Sequence, residues 1–375
     1  MKKTFYLLTM SALLLSLGAC KKKGLHPTPP SNGSDTAVDV YIGGYVDAPK
    51  GQGITQVAAY WKNGTINLLG DTNSMTLVKG IAVSGPDVYV VATQYTLTGG
   101  EYAIVWKNGT PTQLSPDSAE AEVTCIGIQG SDVYIGGYTH NIATQTPTET
   151  TYNSTPVYWK NGVVNHLPNA ASISAITVSG SDVYFAGSAI AQGKFSGLGI
   201  GTGGVAAWWK NGSSPVTLDY PSTYLTTYSS AASAIAVSGA NVYTAGYTQN
   251  YQPEIWKNNA PAILQNSVEA SSAQSVATSG NDVYIAGVSG NFNVATVWKN
   301  NIPLTLNAVQ GATMTNSEAS AVAVAGNNVY VTGYIKNATG NEYSSYYWKN
   351  TQLTPLSNGI GLGAFATCMV LAPKN

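Results

Sequence analysis

The chain has 375 residues, of which 17 are lysine or arginine and 18 are aspartate or glutamate, so its formal net charge is −1. All the basic residues are lysines, and charged residues make up 9% of the chain, against roughly 25% in typical globular proteins. A chain without a basic surface is not expected to bind nucleic acid.

Residues 1–19 predict a signal peptide. Lys2 and Lys3 supply a positive start, and the apolar stretch from Leu7 to Leu17 is too short to span a bilayer as a helix. The following Leu17-Gly18-Ala19-Cys20 resembles the bacterial lipobox. That resemblance implies cleavage before Cys20 and lipidation of this cysteine. The alternative is an ordinary secretory signal that ends near a cysteine.

Residues 20–37 are predicted to form the lipidated end and a flexible tether. Lys21 to Lys23 is a charge run, and His26 to Ser34 is rich in Pro and Ser, a composition that stays extended. We therefore expect an exported protein that is anchored to a membrane by the acyl chains on Cys20. Lys21, by resemblance to lipoprotein sorting signals, favours the outer membrane. Periplasmic and surface exposure both remain open.

Two short signatures alternate along residues 38–375. Trp-Lys-Asn occurs seven times, and Val-Tyr preceded by Asp or Asn also occurs seven times. Successive tryptophans lie roughly 40 to 50 residues apart, the period of a β-propeller blade. The tryptophans are Trp61, Trp106, Trp159, Trp209, Trp256, Trp298 and Trp348. The tyrosines are Tyr41, Tyr89, Tyr134, Tyr184, Tyr243, Tyr284 and Tyr330.

Each repeat predicts four antiparallel strands, called a to d here. In one copy, strand a is Ser233 to Val237, strand b is Val242 to Gly246, and strand c ends at Trp256. Strand a is apolar on both faces, as expected of an inner strand buried between neighbouring blades. Asn63-Gly64 and its counterparts suit a two-residue type I′ turn between strands c and d.

The two ends of the repeat region are complementary. Val40 to Gly44 is a strand b with no strand a before it, and Ala366 to Leu371 is a strand a with no strand b after it. Pairing them completes blade one and removes the open sheet edges. We therefore predict an all-β fold over residues 38–375, a closed seven-bladed β-propeller with four antiparallel strands per blade.

A resemblance to known repeats agrees with this fold. The stretch from Trp61 to Leu69 resembles the short HAF-type repeats of exported bacterial proteins. The blade layout is similar to that of kelch and tryptophan–aspartate propellers, although their complete signatures are missing. The whole chain resembles repeat lipoproteins of Gram-negative bacteria. These resemblances assign no chemistry to any residue.

The repeated residues are interpreted as scaffold. Tryptophan before a tight turn is expected to pack between blades. The Asp before Val-Tyr is replaced by Asn241 and Asn328 in two copies, so we expect it to hydrogen-bond rather than to act as a charge. The repeated lysines are expected to be solvated, and Cys125 and Cys368 to be small buried thiols.

Catalytic and metal-binding patterns are sparse. No spacing of histidine, cysteine and acidic residues matches a ligand motif, so we expect no metal ion and no cofactor. A catalytic triad needs no sequence adjacency, which leaves an enzyme as an alternative. The loop-proximal acids, which no sequence pattern pairs with each other, are Glu101, Glu120, Glu122, Glu149 and Glu254.

The two ends of the predicted propeller differ. The a–b and c–d turns leave one end, here called the turn face, and are short and uniform. The b–c and d–a loops leave the other end, here called the loop face, and vary in length. Variable loops on a rigid scaffold usually carry binding, and Tyr among small polar residues gives adaptable contacts. The predicted ligand-binding residues are Tyr138, His140, Tyr152, Tyr220, Tyr224, Tyr228, Tyr251 and Tyr343.

These observations favour an exported, lipid-anchored binding module, monomeric, that engages a glycan or a protein through the loop face. One alternative is a carbohydrate-active enzyme, a lyase or hydrolase, built on the propeller. Another is a structural or adhesive surface protein without a small-molecule site.

The predicted anchor is testable by substitution. Cys20→Ser removes the acyl attachment, and we expect an exported protein that fractionates in soluble form, because the predicted anchor is the acyl chains and not a transmembrane helix. Fractionation and immunoblotting of wild-type and variant cells measure this. A variant that stays in the membrane fraction would show that another anchor exists.

Overall fold

The computed structural model describes residues 38–374 except for 51–52, 97–99, 116–119, 146–149, 191–203, 219–229, 248–252, 266–270, 291–293, 305, 307–315, 337–342 and 357–362. The predicted signal peptide, Cys20 and the tether lie outside these residues. In the part of the chain that is described, no helix is long and apolar enough to cross a membrane.

The described residues form seven antiparallel sheets of four strands each. Sheets one to three contain, in turn, β28 (Gly363–Pro373), β1 (Val38–Lys50), β2 (Gly53–Lys62) and β3 (Thr65–Leu68); β4 (Met75–Ser84), β5 (Asp87–Tyr95), β6 (Glu101–Lys107) and β7 (Thr110–Gln113); β8 (Glu120–Gln129), β9 (Asp132–Gln145), β10 (Thr150–Lys160) and β11 (Val163–Asn165).

The remaining four sheets follow the same order of strands a to d. They contain, in turn, β12 (Ala170–Ser179), β13 (Asp182–Ile190), β14 (Gly204–Lys210) and β15 (Val216–Thr217); β16 (Ala231–Ser238), β17 (Asn241–Tyr247), β18 (Pro253–Lys257) and β19 (Ala260–Ile263); β20 (Ser272–Ser279), β21 (Asp282–Ser289), β22 (Val294–Lys299) and β23 (Ile302–Leu304); β24 (Ser317–Ala325), β25 (Asn328–Lys336), β26 (Tyr343–Lys349) and β27 (Gln352–Pro355).

The seven sheets are the blades of a closed propeller, which confirms the predicted fold class. Each inner strand packs against the inner strand of the next blade, and β28 contacts both β24 and β4. The ring is closed by the two ends of the chain, because β28 pairs with β1 in the register Val40↔Leu371 and Tyr41↔Val370. Blade one therefore has no open inner edge.

The repeated tryptophans fill the spaces between blades. Their side chains are 0 to 3% exposed, and Trp159, for example, packs with Val91 and Ala103 of blade two and with Val123 of its own blade. Seven such rings supply much of the apolar area that the fold buries. The interpretation of these tryptophans as core is confirmed.

Five of the seven turns between strands c and d have the predicted backbone, whereas in the other two only the first residue, Asn258 or Asn350, has a positive φ angle. Asn63 and Gly64 adopt φ angles of 50° and 84°, the positive pair that a type I′ turn requires. Asn300 and Asn301 reach 49° and 69° without a glycine, because asparagine tolerates this region better than other non-glycine residues.

The repeated lysines that pair with aspartate are 29 to 53% exposed, as expected of solvated side chains, and they are also held in place by contacts. In five blades the ammonium lies 2.6 to 3.1 Å from the Asp before Val-Tyr, and in all seven it lies 5.2 to 5.8 Å from the tyrosine ring centroid. The aspartate thus serves as an ion-pair partner as well as a hydrogen-bond acceptor. Such exposed pairs contribute little stability each.

A β-bulge recurs at one position of all seven inner strands, where the pairing register skips a residue. Some bulged side chains connect neighbouring blades. Thr124 Oγ1 donates to the Ile173 carbonyl at 2.6 Å, and Thr367 Oγ1 donates to the Val78 carbonyl at 3.0 Å. The skipped residues are Lys79, Thr124, Ser174, Ser233, Gln274, Ser320 and Thr367.

Cys125 and Cys368 are free thiols beside these bulges. A Cβ added to Gly136 would come within 2.7 Å of Cys125 Sγ, and one added to Gly43 within 2.6 Å of Cys368 Sγ. Burial raises the pKa of Cys125 to about 11 and that of Cys368 to about 12. Both thiols are therefore packing groups with little nucleophilic character at neutral pH. Cys125 is buried, as predicted, whereas Cys368 is half-buried.

Closure of the ring predicts a large effect of truncation. Deleting residues 366–375 removes most of β28 and leaves β1 with an unpaired edge, so we expect a loss of more than about 4 kcal/mol in the free energy of unfolding. Deletion of residues 374–375 alone is the control and should melt like the full chain. Calorimetry that places the 366–375 deletion within a few degrees of the control would contradict the closure.

Candidate functional site

Three of the eight predicted ligand-binding residues have described side chains at the loop face, namely Tyr138, His140 and Tyr343. Tyr152 lies in β10, where its backbone alone is described. The predicted site residues outside the described part of the chain are Tyr220, Tyr224, Tyr228 and Tyr251.

Tyr138, His140, Tyr152 and Tyr343 belong to strands and not to loops, which corrects the sequence analysis. β9 and β10 remain paired as far as Gln145 and Thr150. The segment contains many β-branched residues, which pack well in a pleated sheet. The hairpin therefore places Tyr138 and His140 on a rigid element at the edge of the loop face.

A pocket of about 230 Å³ lies on the loop face between blades six and seven. Glu318 and Tyr334 form one wall as register partners on β24 and β25. Tyr343, the first residue of β26, forms another. The remaining lining residues are Ser272, Gln274, Val288, Asn316 and Ser317.

Glu318 and Tyr334 are joined by a short hydrogen bond. The Tyr334 hydroxyl donates to Glu318 Oε2 at 2.5 Å, and the Ser320 hydroxyl donates to Oε1 at 3.3 Å. Burial, followed by the hydrogen bond to Glu318, holds the pKa of Tyr334 far above its usual value. The phenol therefore keeps its proton at neutral pH, and the carboxylate acts as its acceptor.

An aromatic cluster extends from this pocket into blade one. The Tyr343 ring lies 5.4 Å from Tyr334 and 5.0 Å from Phe365, and Phe365 stacks on Tyr45 at 4.9 Å. Burial raises the pKa of Tyr45 to about 12. These contacts tie four strands of two blades together and hold Tyr343 as a rigid wall of the pocket.

A second polar group lies at the loop face between blades two and three. Atoms of Glu101, Glu122 and His140 that could each ligate a metal ion lie within 4.8 Å of one another. His140 Nδ1 is 2.8 Å from the Ser154 hydroxyl, and the ring stacks on Tyr138 with centroids 6.4 Å apart. Two of the eight predicted residues, Tyr138 and His140, are therefore brought together, with two acids that the sequence analysis left unpaired.

Burial raises the pKa of Glu101, and the charge of His140 opposes this rise. The cluster is therefore a partly desolvated group in which carboxylates are crowded around one imidazole. Such groups are often functional.

The two sites share one feature of the repeat. Glu122 lies opposite Tyr138 and Glu318 lies opposite Tyr334, at equivalent positions of blades three and seven. Other blades carry small or apolar residues there, such as Ser172. A comparison of the repeats with one another could have found both acids as exceptions to the pattern.

Glu254 is a third unusual acid, on β18 of blade five. Its side chain is 7% exposed, and burial raises its pKa to about 7. Glu254, Glu318 and His140 lie on strands of three different blades.

Comparison with known proteins supports the fold and does not identify a specific function. No protein-family model and no curated protein matches the chain. A puromycin-hydrolysing peptidase of Mycobacterium tuberculosis is similar in structure, with a TM-score of 0.52, 12% identity, and coverage of 84% of this chain and 53% of that one. The chain therefore spans about half the length of that protein.

Two further structures show weaker similarity. A Trypanosoma rangeli sialidase in complex with sialic acid has a TM-score of 0.39 and 11% identity over 82% of this chain and 57% of its own. The β-xylosidase RS223 has a TM-score of 0.32 and 10% identity over 74% of this chain and 94% of its own.

The raised pKa of Glu254 predicts a pH-dependent stability. The folded protein holds this proton more tightly than the unfolded chain, so its contribution to stability falls as pH rises from about 4.5 to about 7. Glu254→Gln removes this fall, and we expect the variant to gain roughly 3 kcal/mol over wild type at pH 8 relative to pH 4.5, because each pKa unit corresponds to about 1.4 kcal/mol. Thermal melts at both pH values measure it, with Glu120→Gln as control. An equal gain at both pH values would contradict the assignment.

Proposed function

We propose that the protein is an exported, lipid-anchored binding module that takes a glycan in the loop-face pocket of Glu318, Tyr334 and Tyr343. The observation that carries this proposal is the combination, in one pocket of about 230 Å³, of a carboxylate, two tyrosines and several small neutral polar groups. Binding pockets usually combine apolar walls with a few convergent polar groups.

The chemistry of these groups suits a sugar. A sugar ring offers an apolar C–H face that packs on an aromatic ring, and hydroxyls that need acceptors and donors. Tyr343 supplies the aromatic wall, and Glu318 supplies an acceptor whose orientation Tyr334 and Ser320 hold. Gln274 and Asn316 add neutral amides to the lining.

The surroundings favour a neutral or weakly charged ligand. Lysines cluster on the turn face, where most are paired with aspartates, and none lines the pocket among its described residues. A strongly anionic ligand would meet the Glu318 carboxylate, and the nearby Lys336 ammonium, 5.5 Å from the centroid of the Tyr343 ring, would balance one negative charge. The predicted lipid anchor would hold this face near the cell envelope, where glycans are abundant.

The runner-up is a carbohydrate-active enzyme, a hydrolase or lyase. The short bond between Tyr334 and Glu318 is the geometry of an acid–base pair. Asp47 is a second acid near the pocket, since a Cβ added to Gly363 would lie 2.8 Å from Asp47 Oδ2 and 3.4 Å from the Tyr343 carbonyl. Burial raises the pKa of Asp47.

The third alternative, a purely adhesive role, would leave this pocket without a function.

Glycan binding is tested with the full-length protein in detergent on an array of neutral and acidic oligosaccharides, followed by calorimetry on any ligand found. We expect Tyr343→Ala and Glu318→Gln to weaken binding by on the order of tenfold or more, because buried aromatic and charged contacts dominate binding energies. Lys160→Ala, on the turn face, is the control and should bind like wild type.

The outcomes separate the proposed functions. Loss of binding in Lys160→Ala with full binding in Tyr343→Ala would move the site to the turn face. A blank array beside a positive peptide array would favour a protein ligand. Release of shorter products by wild type but not by Tyr334→Phe would favour the enzyme.

A further inference from the structure

We propose that Glu101, Glu122 and His140 form a binding site for a divalent transition-metal ion, Zn²⁺ in particular, on the loop face. The three side chains come from β6 of blade two and from β8 and β9 of blade three. Their donor atoms lie within 4.8 Å of one another. None of the three lines the pocket of Glu318, so the metal site is independent of the proposed glycan site.

One pair of donors has a spacing that suits a shared ion. His140 Nε2 lies 3.8 Å from Glu101 Oε2, beyond hydrogen-bond length. Two ligands that each lie about 2.1 Å from a zinc ion are at most about 4.2 Å apart. The observed distance is therefore too long for direct bonding and within the range that a shared ion allows.

The imidazole is oriented as a metal ligand requires. Its Nδ1 is 2.8 Å from the Ser154 hydroxyl. When Nδ1–H donates to that oxygen, Nε2 carries the lone pair and faces the carboxylates, which is the tautomer that binds metal. The Tyr138 ring lies nearly parallel to the imidazole, with an interplanar angle of 13° and centroids 6.4 Å apart.

The charges and ligand types narrow the choice of ion. The two carboxylates carry two negative charges, and Glu120, the register partner of His140, adds a third acid at the same edge. A divalent cation balances this charge. Calcium and magnesium prefer ligand sets made of oxygen alone, whereas one imidazole with two carboxylates suits zinc. Three protein ligands leave a coordination position open at the loop face.

The ion would also join two blades. Glu101 belongs to blade two, while Glu122 and His140 belong to blade three, so metal binding would connect β6 to β8 and β9. An ion that binds the folded protein alone raises the midpoint of unfolding as its concentration rises.

Metal binding is tested on the untagged full-length protein in detergent, after chelator treatment and dialysis, by calorimetric titration with ZnCl₂, MnCl₂ and CaCl₂. We expect one equivalent of Zn²⁺ to bind more tightly than Ca²⁺ and to raise the melting temperature by a few degrees. Glu122→Gln and His140→Asn should weaken Zn²⁺ binding at least tenfold. Ser154→Ala, at an exposed position, should weaken it about tenfold through loss of the imidazole's orientation.

His166→Asn is the matched control, because His166 is an exposed histidine of the same blade and should leave binding unchanged. Thermal melts without metal show whether each variant folds. If His140→Asn does not fold, Ser154→Ala still tests the metal site. Wild type that binds no stoichiometric Zn²⁺ would overturn the site, as would a loss in His166→Asn equal to that in His140→Asn. Glycan binding that persists without metal supports two independent sites.

Discussion

The rest of the propeller depends on the hydrogen bonds that the turn asparagine makes with strand b. In blade three, Asn161 Oδ1 accepts from the Val133 N–H at 2.9 Å, and the Asn161 N–H donates to the Val133 carbonyl at 2.9 Å. Its Nδ2 donates to Asp132 at 2.8 Å. The same exchange with the valine backbone recurs in all seven blades. One residue thus adopts the left-handed turn and sets strand c in register on strand b.

That register determines where each tryptophan lies. Trp159 precedes Lys160 and Asn161, so the bonds that fix the asparagine also fix the indole between two blades. The lysine is drawn back over the tyrosine ring of strand b. Where Asn241 replaces the aspartate, the ammonium still lies over its tyrosine, at 5.8 Å. The asparagine is therefore the invariant part of the turn, and the ion pair is an addition to it.

The fold could be predicted because the same strand and turn signatures occur seven times in the sequence. The sites could not, because each is made by strands from different blades or by residues far apart in the chain. Glu101 and His140 approach each other only once blades two and three stand side by side. The length of the β9–β10 hairpin was also missed, since the polar residues of its outer half resemble those of a loop. A comparison of the repeats shows that Glu122 and Glu318 depart from the pattern, but it does not show which side chains they contact.

A scaffold held from the turn face leaves the loop-face ends of its strands free to vary. Glu122 and Glu318 occupy equivalent positions opposite equivalent tyrosines, yet their surroundings differ. Tyr334 donates directly to Glu318, whereas Tyr138 stacks on His140 and Glu122 is grouped with Glu101. The neighbouring blade decides the difference, because it supplies a pocket wall in one case and a second carboxylate in the other. One substitution in a repeated frame can therefore give two chemically distinct sites on the same face.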